Sequence, residues 1–274
     1  LSSAASDVYK RQFLLCLALS FTFSIFAQDT KEVIILQTSD VHSRIEPINQ
    51  KGDKYYNKGG FVRRAAFLEQ FRKDHKNVLL FDCGDISQGT PYYNMFQGEV
   101  EVKMMNEMKY DAMTIGNHEF DFDLDNMARL FRMADFPVVC ANYDVSATVL
   151  KDLVKPYVVF ERDGVKIGVL GLGCQLEGMV QANKCVGVVY NDPVTVANEV
   201  AAVLKEKEGC DVVVCLSHLG VQYDENQLIP KTRNIDVVLG GHSHTFMKGP
   251  KTLLNMDGKN VSLMHTGKSG IYVG

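Results

Sequence analysis

Val78-Leu-Leu-Phe-Asp-Cys-Gly-Asp85 sets the pattern for the chain: a short apolar run of strand length stops abruptly in a cluster of acidic residues and glycine. The pattern recurs in both directions. Upstream, Val33-Ile-Ile-Leu36 leads into Thr38-Ser-Asp40-Val-His42. Downstream, Ala112-Met-Thr-Ile115 leads into Gly116-Asn117-His118-Glu119-Phe120-Asp121. The run from Val212 to Leu216 ends in Ser217-His218, and Val237-Val-Leu239 ends in Gly240-Gly241-His242-Ser243-His244. Val138-Val-Cys140 and Val165 to Leu172 are further strands of the same kind. Near-continuous hydrophobicity suits strands covered on both faces. Helical periodicity lies between them, at about Phe61–Lys73, Glu99–Met108, Leu124–Ala134 and Val194–Lys207. The last opens with Asp192-Pro193, a helix-start signal. Asp163-Gly164 closes a hairpin over residues 160–165. Strand and helix alternate, so the fold class is α/β, built in layers.

Ligands of α/β sheets gather outside the carboxyl ends of strands, so five clusters distant in sequence can share one site. Five of the seven histidines fall in these clusters; His75 and His265 do not. Histidine, carboxylate and amide oxygen suit zinc, manganese or iron(II), with no thiolate required. Asp40 and His42 are two residues apart and point the same way if the segment is extended; His242 and His244 repeat the spacing. Gly240 and Gly241 let backbone come close to the site. Ser217 and Ser243 read as small loop residues, and Asp82 as a strand-end group behind the site.

The formal net charge is −4 and no run of five basic residues occurs, which argues against a surface for nucleic acid polymers. A small phosphorylated substrate remains compatible, because bound cations can supply positive charge locally. None of the seven cysteines forms a C-x-x-C pair, so a cysteine zinc site is not expected. Cys140, Cys210 and Cys215 sit in or beside apolar runs, where free buried thiols are expected. At the N-terminus, residues 13–27 form an apolar run ending at Ala27. It is shorter than the roughly 20 residues a spanning helix needs. It reads as a secretory signal, placing the mature chain at residues 28–274 in the periplasm or cell envelope, without a transmembrane span. Residues 1–12 resemble the in-frame translation of a sequencing-library adapter.

Taken together, D-x-H, G-D, G-N-H-E, S-H and G-H-S-H resemble the signature of the metallophosphoesterase superfamily. The longer matches are Gly84-Asp-Ile-Ser-Gln-Gly-Thr90, Gly116 to Asp121, Cys140-Ala-Asn142 and His265-Thr-Gly-Lys-Ser-Gly270. They are similar to the N-terminal catalytic domain of the 5′-nucleotidase family, over about Glu32 to the end. The resemblance implies a four-layer α-β-β-α sandwich of the calcineurin-like type with two divalent metal ions at the strand ends. It assigns Asp40, His42, Asp85 and His244 to one ion, and Asp85, Asn117, His218 and His242 to the other, with Asp85 bridging. It makes His118 the catalytic group facing the phosphate, with Asp121 orienting its ring. The family often has glycine after D-x-H; here Ser43 stands there. The implied reaction is hydrolysis of phosphate esters, nucleotides first, by a hydroxide held between the metals. Phosphodiesters such as UDP-sugars or 2′,3′-cyclic nucleotides are the alternative. Family members also carry a C-terminal domain that grips the base. No counterpart follows Gly274, which leaves open a longer chain or a separate nucleotide-binding polypeptide as partner.

Overall fold

Two sheets face one another. The computed structural model describes residues 30–274, of which Glu32–Gly274 pack as one unit. The apolar segment 13–27 and everything before it lie outside the described residues. The first sheet is wholly parallel. Its members are β1 (Ile34–Thr38), β2 (Val78–Asp82), β3 (Ala112–Met113), β4 (Val138–Val139) and β6 (Val154–Lys155), in the order β1-β2-β3-β4-β6. The second holds β7 (Tyr157–Arg162), β8 (Val165–Leu172), β10 (Val212–Ser217), β11 (Val237–Gly240), β12 (Lys251–Leu254) and β13 (Asn260–His265). Its order is β12-β13-β11-β10-β8-β7, with parallel central strands and an antiparallel strand at each edge. A small antiparallel pair, β5 (Tyr143–Asp144) and β9 (Val189–Tyr190), stands apart.

Alternation along the strands assembles the layers. Leu79 and Phe81 of β2 pack with Ala112, Val139, Val169, Val214 and Leu216, so this apolar set fills the space between the sheets. Leu80 points the other way, into a core with α1 (Phe61–Asp74), α3 (Glu99–Glu107) and α4 (Leu124–Met133). On the far side, Val213, Cys215, Val238 and Leu263 meet Ala197 and Ala201 of α5 (Pro193–Ala202). The result is helix, sheet, sheet, helix, as the resemblance implied. Asp123 caps α4 by accepting the Asn126 N–H at 2.7 Å, and Asp192 caps α5 by accepting that of Thr195 at 2.8 Å. No helix among the described residues is long and apolar enough to cross a membrane.

Some elements depart from the sequence reading. The short helix α2 (Pro91–Phe96), ahead of α3, was not anticipated. The third strand is shorter than its apolar run, because after Met113 the backbone turns toward the site; Thr114 N–H still reaches Asp82 O at 3.0 Å. Strands β5, β6, β9, β12 and β13 carry too few consecutive apolar residues to stand out. β13 alternates instead, burying Val261, Leu263 and His265.

The turns after β2 and β3 are locked together by one carboxylate. Glu119 lies in the 3₁₀ turn His118–Phe120 and is almost fully buried. Its Oε2 accepts the N–H groups of Asp85 at 2.9 Å and Gly116 at 2.7 Å. Its Oε1 accepts those of Ile86 at 3.0 Å and Ser87 at 3.2 Å. Asp82 does the same on the other side, taking the Thr38 hydroxyl at 2.6 Å and the Gly84 N–H at 2.9 Å. Burial pushes Asp82 up to about 7 despite these bonds. A buried donor left without a partner costs about 1–3 kcal/mol. Glu119→Ala, which strands four, is therefore expected to lower stability to urea by at least ~3 kcal/mol. Glu119→Gln, which keeps one acceptor oxygen, should lie between. A loss below ~1 kcal/mol for the alanine variant would contradict this account of the turns.

Candidate metal centre

Five of the anticipated site residues share an unusual backbone. Asp40, His42, Asp85, His242 and His244 have φ of 50°, 49°, 57°, 71° and 52°. Left-handed conformations disfavour residues with a Cβ by roughly 1–2 kcal/mol each, and such strain concentrates at functional sites. The extended reading of Asp40-Val-His42 and His242-Ser-His244 is therefore corrected. These segments are tight turns, and their side chains converge because each projects from a left-handed residue. The first turn is laced to the second by backbone bonds: Asp40 N–H to Gly84 O at 2.9 Å, His42 N–H to Asp85 O at 3.0 Å, and Ser43 N–H to Ile86 O at 2.8 Å. Ser43, at φ 52°, occupies a conformation that suits the glycine common at this point of the resemblance. Its buried hydroxyl donates to Glu101 and bonds Thr90 Oγ1 at 2.7 Å.

The nine anticipated residues come together. His42 Nε2 and His244 Nε2 are 2.9 Å apart, and His244 Nε2 lies 3.5 Å from Asp40 Oδ1. His218 Nε2 lies 3.1 Å from Asp85 Oδ2, and His242 Nδ1 lies 3.0 Å from Asn117 Oδ1. The His118 N–H donates to Asp85 Oδ1 at 2.9 Å, and His118 Nδ1 meets Asp121 Oδ2 at 3.0 Å. Three overlapping groups offer donor atoms within 4.8 Å of one another: Asp40, His42 and His244; His42, Asp85 and His118; Asp85, His218 and His242.

Carbonyl oxygens orient two of the rings. His42 Nδ1 faces Ser87 O at 3.2 Å, and His218 Nδ1 faces Cys83 O at 2.6 Å. A carbonyl can only accept, so each Nδ1 carries the proton. In the neutral ring that turns the Nε2 lone pair inward, as a metal-binding histidine requires. The His218 lone pair then faces a carboxylate oxygen, an arrangement that calls for positive charge between them. Without a cation, a proton fills that part. Burial opposes charge on both groups, yet their mutual attraction prevails, holding Asp85 well below the carboxylate range and His218 well above that of imidazole. Burial, against the pull of His218 and with the push of Asp85, brings Asp40 up to about 7. Burial and the neighbouring His42 bring His244 down to about 4, so this ring is neutral at pH 7. Imidazole nitrogens, two carboxylates and an amide oxygen fit a borderline divalent cation, which would take the place of the proton between His218 and Asp85.

Close approach explains two glycines. A Cβ on Gly116 would lie 2.2 Å from Asp85 Oδ1, and one on Gly241 would lie 3.0 Å from Asp40 Oδ2. Sequence reasoning missed the parts behind the candidate donors. The carbonyls of Cys83 and Ser87 leave no trace in side-chain identity. Glu119 stood in a quoted motif as one polar residue among several. Ser217 is no loop residue: it ends β10, fully buried, and donates to Asp224 at 2.6 Å. His265, set apart from the clusters, is buried beside Gly240. The cysteines of the described residues are free, and burial pushes the Cys83 and Cys215 thiols well up.

Residues 34–246 match the model of the family described as calcineurin-like phosphoesterase. The snake venom 5′-nucleotidase of Crotalus adamanteus is 34% identical over 239 residues, covering 85% of this chain and 39% of the relative. The 5′-nucleotidase of Homo sapiens is 31% identical over 264 residues, covering 89% and 46%. Among solved structures, the 5′-nucleotidase precursor from Thermus thermophilus superposes with a TM-score of 0.82 at 31% identity, covering 88% of this chain and 50% of that one. The calcineurin-like phosphoesterase YfkN from Bacillus subtilis gives 0.71 at 27% identity, covering 88% and 83%. The chain spans less than half the length of the snake venom and human relatives. With a family model matched from β1 through β11 and past His244, the chain belongs to the calcineurin-like phosphoesterase family.

Proposed function

We propose that this chain is the catalytic domain of an exported phosphomonoesterase that uses two divalent cations to hydrolyse nucleotides. One observation carries the reading: Asp85 belongs to two of the three donor groups, meeting His42 in one and His218 and His242 in the other, so its carboxylate could serve two neighbouring cations. Asp40, His42, Asp85 and His244 would hold one ion, and Asp85, Asn117, His218 and His242 the other. Zinc, manganese and iron(II) suit these donors. Such a pair, when bound, would supply positive charge against phosphate oxygens and lower the pKa of water toward neutrality.

The chain's own residues supply the rest. His118 is partly exposed, and a ring nitrogen lies within 4.8 Å of donor atoms of His42 and Asp85. Its Nδ1 is engaged by Asp121, which fixes the ring and leaves Nε2 for a substrate. That hydrogen bond raises His118 above its ordinary value, against burial, and favours the imidazolium. An imidazolium there can steady charge on the phosphate and protonate the leaving oxygen. The preference for nucleotides is supported by relatives named 5′-nucleotidase, and by NAD nucleotidase of Haemophilus influenzae, which superposes with a TM-score of 0.79. Export is supported by the apolar run at residues 13–27.

Two outcomes test the reading. Chelation should abolish release of phosphate from AMP, and added Mn²⁺ should restore it; Asp85→Asn should not recover. Faster turnover of bis(p-nitrophenyl) phosphate than of AMP would favour a phosphodiesterase instead. Separately, His118→Asn should retain Mn²⁺ by calorimetry while kcat on AMP falls about 10²–10⁴-fold, the usual worth of a positioned acid. Asp121→Asn should fall less. Unchanged kcat in metal-loaded His118→Asn would remove that residue from the chemistry.

A further inference from the structure

β10, β11 and β13 lie side by side, and their last residues, Ser217, Gly240 and His265, stand in register across the sheet. The His265 ring takes the space over Gly240: a Cβ there would lie 2.0 Å from His265 Nε2. From the helical segment that follows β10, Asp224 reaches back to this row. Its Oδ1 accepts the Ser217 hydroxyl at 2.6 Å, and its Oδ2 meets His265 Nε2 at 2.9 Å. All three side chains are buried, and His265 Nδ1 has no hydrogen-bond partner. Asp224 is thus the only polar anchor of that ring among the described residues.

We infer that Ser217, Asp224 and His265 form a positioning bridge that sets His218 and His242 for metal binding. The inference rests on the proposed reading of those histidines as ligands. His218 follows Ser217 directly, and His242 stands two residues past Gly240. The Gly241 N–H donates to Ser217 O at 2.8 Å, so moving the end of β10 moves both. Both histidines belong with Asp85 to one donor group. Asp224 belongs to none of the three groups and acts through its neighbours. A carboxylate suits the task because it accepts on both oxygens; asparagine would accept on one and turn a donor toward His265. Removing comparable supports behind metal ligands costs about 10–100-fold in metal affinity.

Calorimetric titration of the full chain with Mn²⁺ tests the bridge. Wild-type protein that binds no Mn²⁺ would sink the metal-centre reading itself. Given wild-type binding, Asp224→Asn and His265→Leu should weaken Mn²⁺ affinity about 10–100-fold, with kcat at limiting metal falling and KM for AMP little changed. His265→Gln, which places an N–H near the original Nε2, should bind Mn²⁺ like wild type. A residue that merely stabilised the fold would lose melting temperature without this rescue. Ser217→Ala removes a single hydroxyl and decides the matter together with His265→Gln if the larger changes do not fold. Wild-type Mn²⁺ affinity in Ser217→Ala, or equal weakening by Gln and Leu at position 265, would overturn the bridge.

Discussion

Asp85 is held from every side. Its own N–H is given to Glu119, one carboxylate oxygen takes the His118 N–H, and the other lies 3.1 Å from His218 Nε2. Its backbone is left-handed, and Gly116 has no Cβ because one would collide with its carboxylate. A buried anion with this many donors and no freedom to turn is costly unless positive charge is close at hand. Histidines from four other loops, His42, His118, His218 and His242, provide the setting for that charge. If Asp85 moved by one rotamer, two of the three donor groups would lose their common member.

The sandwich brings those loops together. Parallel strands within each sheet end on one side, and the first three strands of one sheet and two central strands of the other discharge their loops into the same space. The apolar layer between the sheets, with Leu79, Phe81, Val214 and Leu216, fixes their spacing. A dry, close-packed layer of this kind transmits position rigidly. Loops that would otherwise wander are therefore anchored within a few residues of the core. Asp40 is two residues from Thr38, and His218 follows Ser217 directly.

Much of this was legible in residue order. Apolar runs ending in polar clusters mark the strands of both sheet centres, and the concentration of histidine marks the five that meet; the resemblance to a family signature added Asp40, Asp85, Asn117 and Asp121. What escaped was of three physical kinds. Short or edge strands such as β5 and β12 have no continuous apolar signal, since one of the two residues of β5 and three of the four of β12 are exposed. Backbone carbonyls, such as that of Cys83 on His218, are independent of the side chain that bears them. The left-handed turns at Asp40 and His42 contradict the plain two-residue periodicity of an extended segment; only the usual glycine at the position of Ser43 hinted at them.

The acidic residues show why composition cannot assign roles here. Asp40, Asp82, Asp85, Glu119 and Asp224 are all buried, and all lie within or close to the same motifs. Asp40 and Asp85 turn oxygens toward imidazole nitrogens and so can share a cation. Asp82 and Glu119 spend theirs on backbone N–H groups and a hydroxyl, which holds strained turns in place. Asp224 joins two side chains beneath the ends of three strands. All five are buried, so what separates a candidate cation donor from a support is the partner each carboxylate meets. The left-handed turns need the supports, because a conformation disfavoured by ~1–2 kcal/mol at each of five residues persists only where neighbouring bonds leave no alternative.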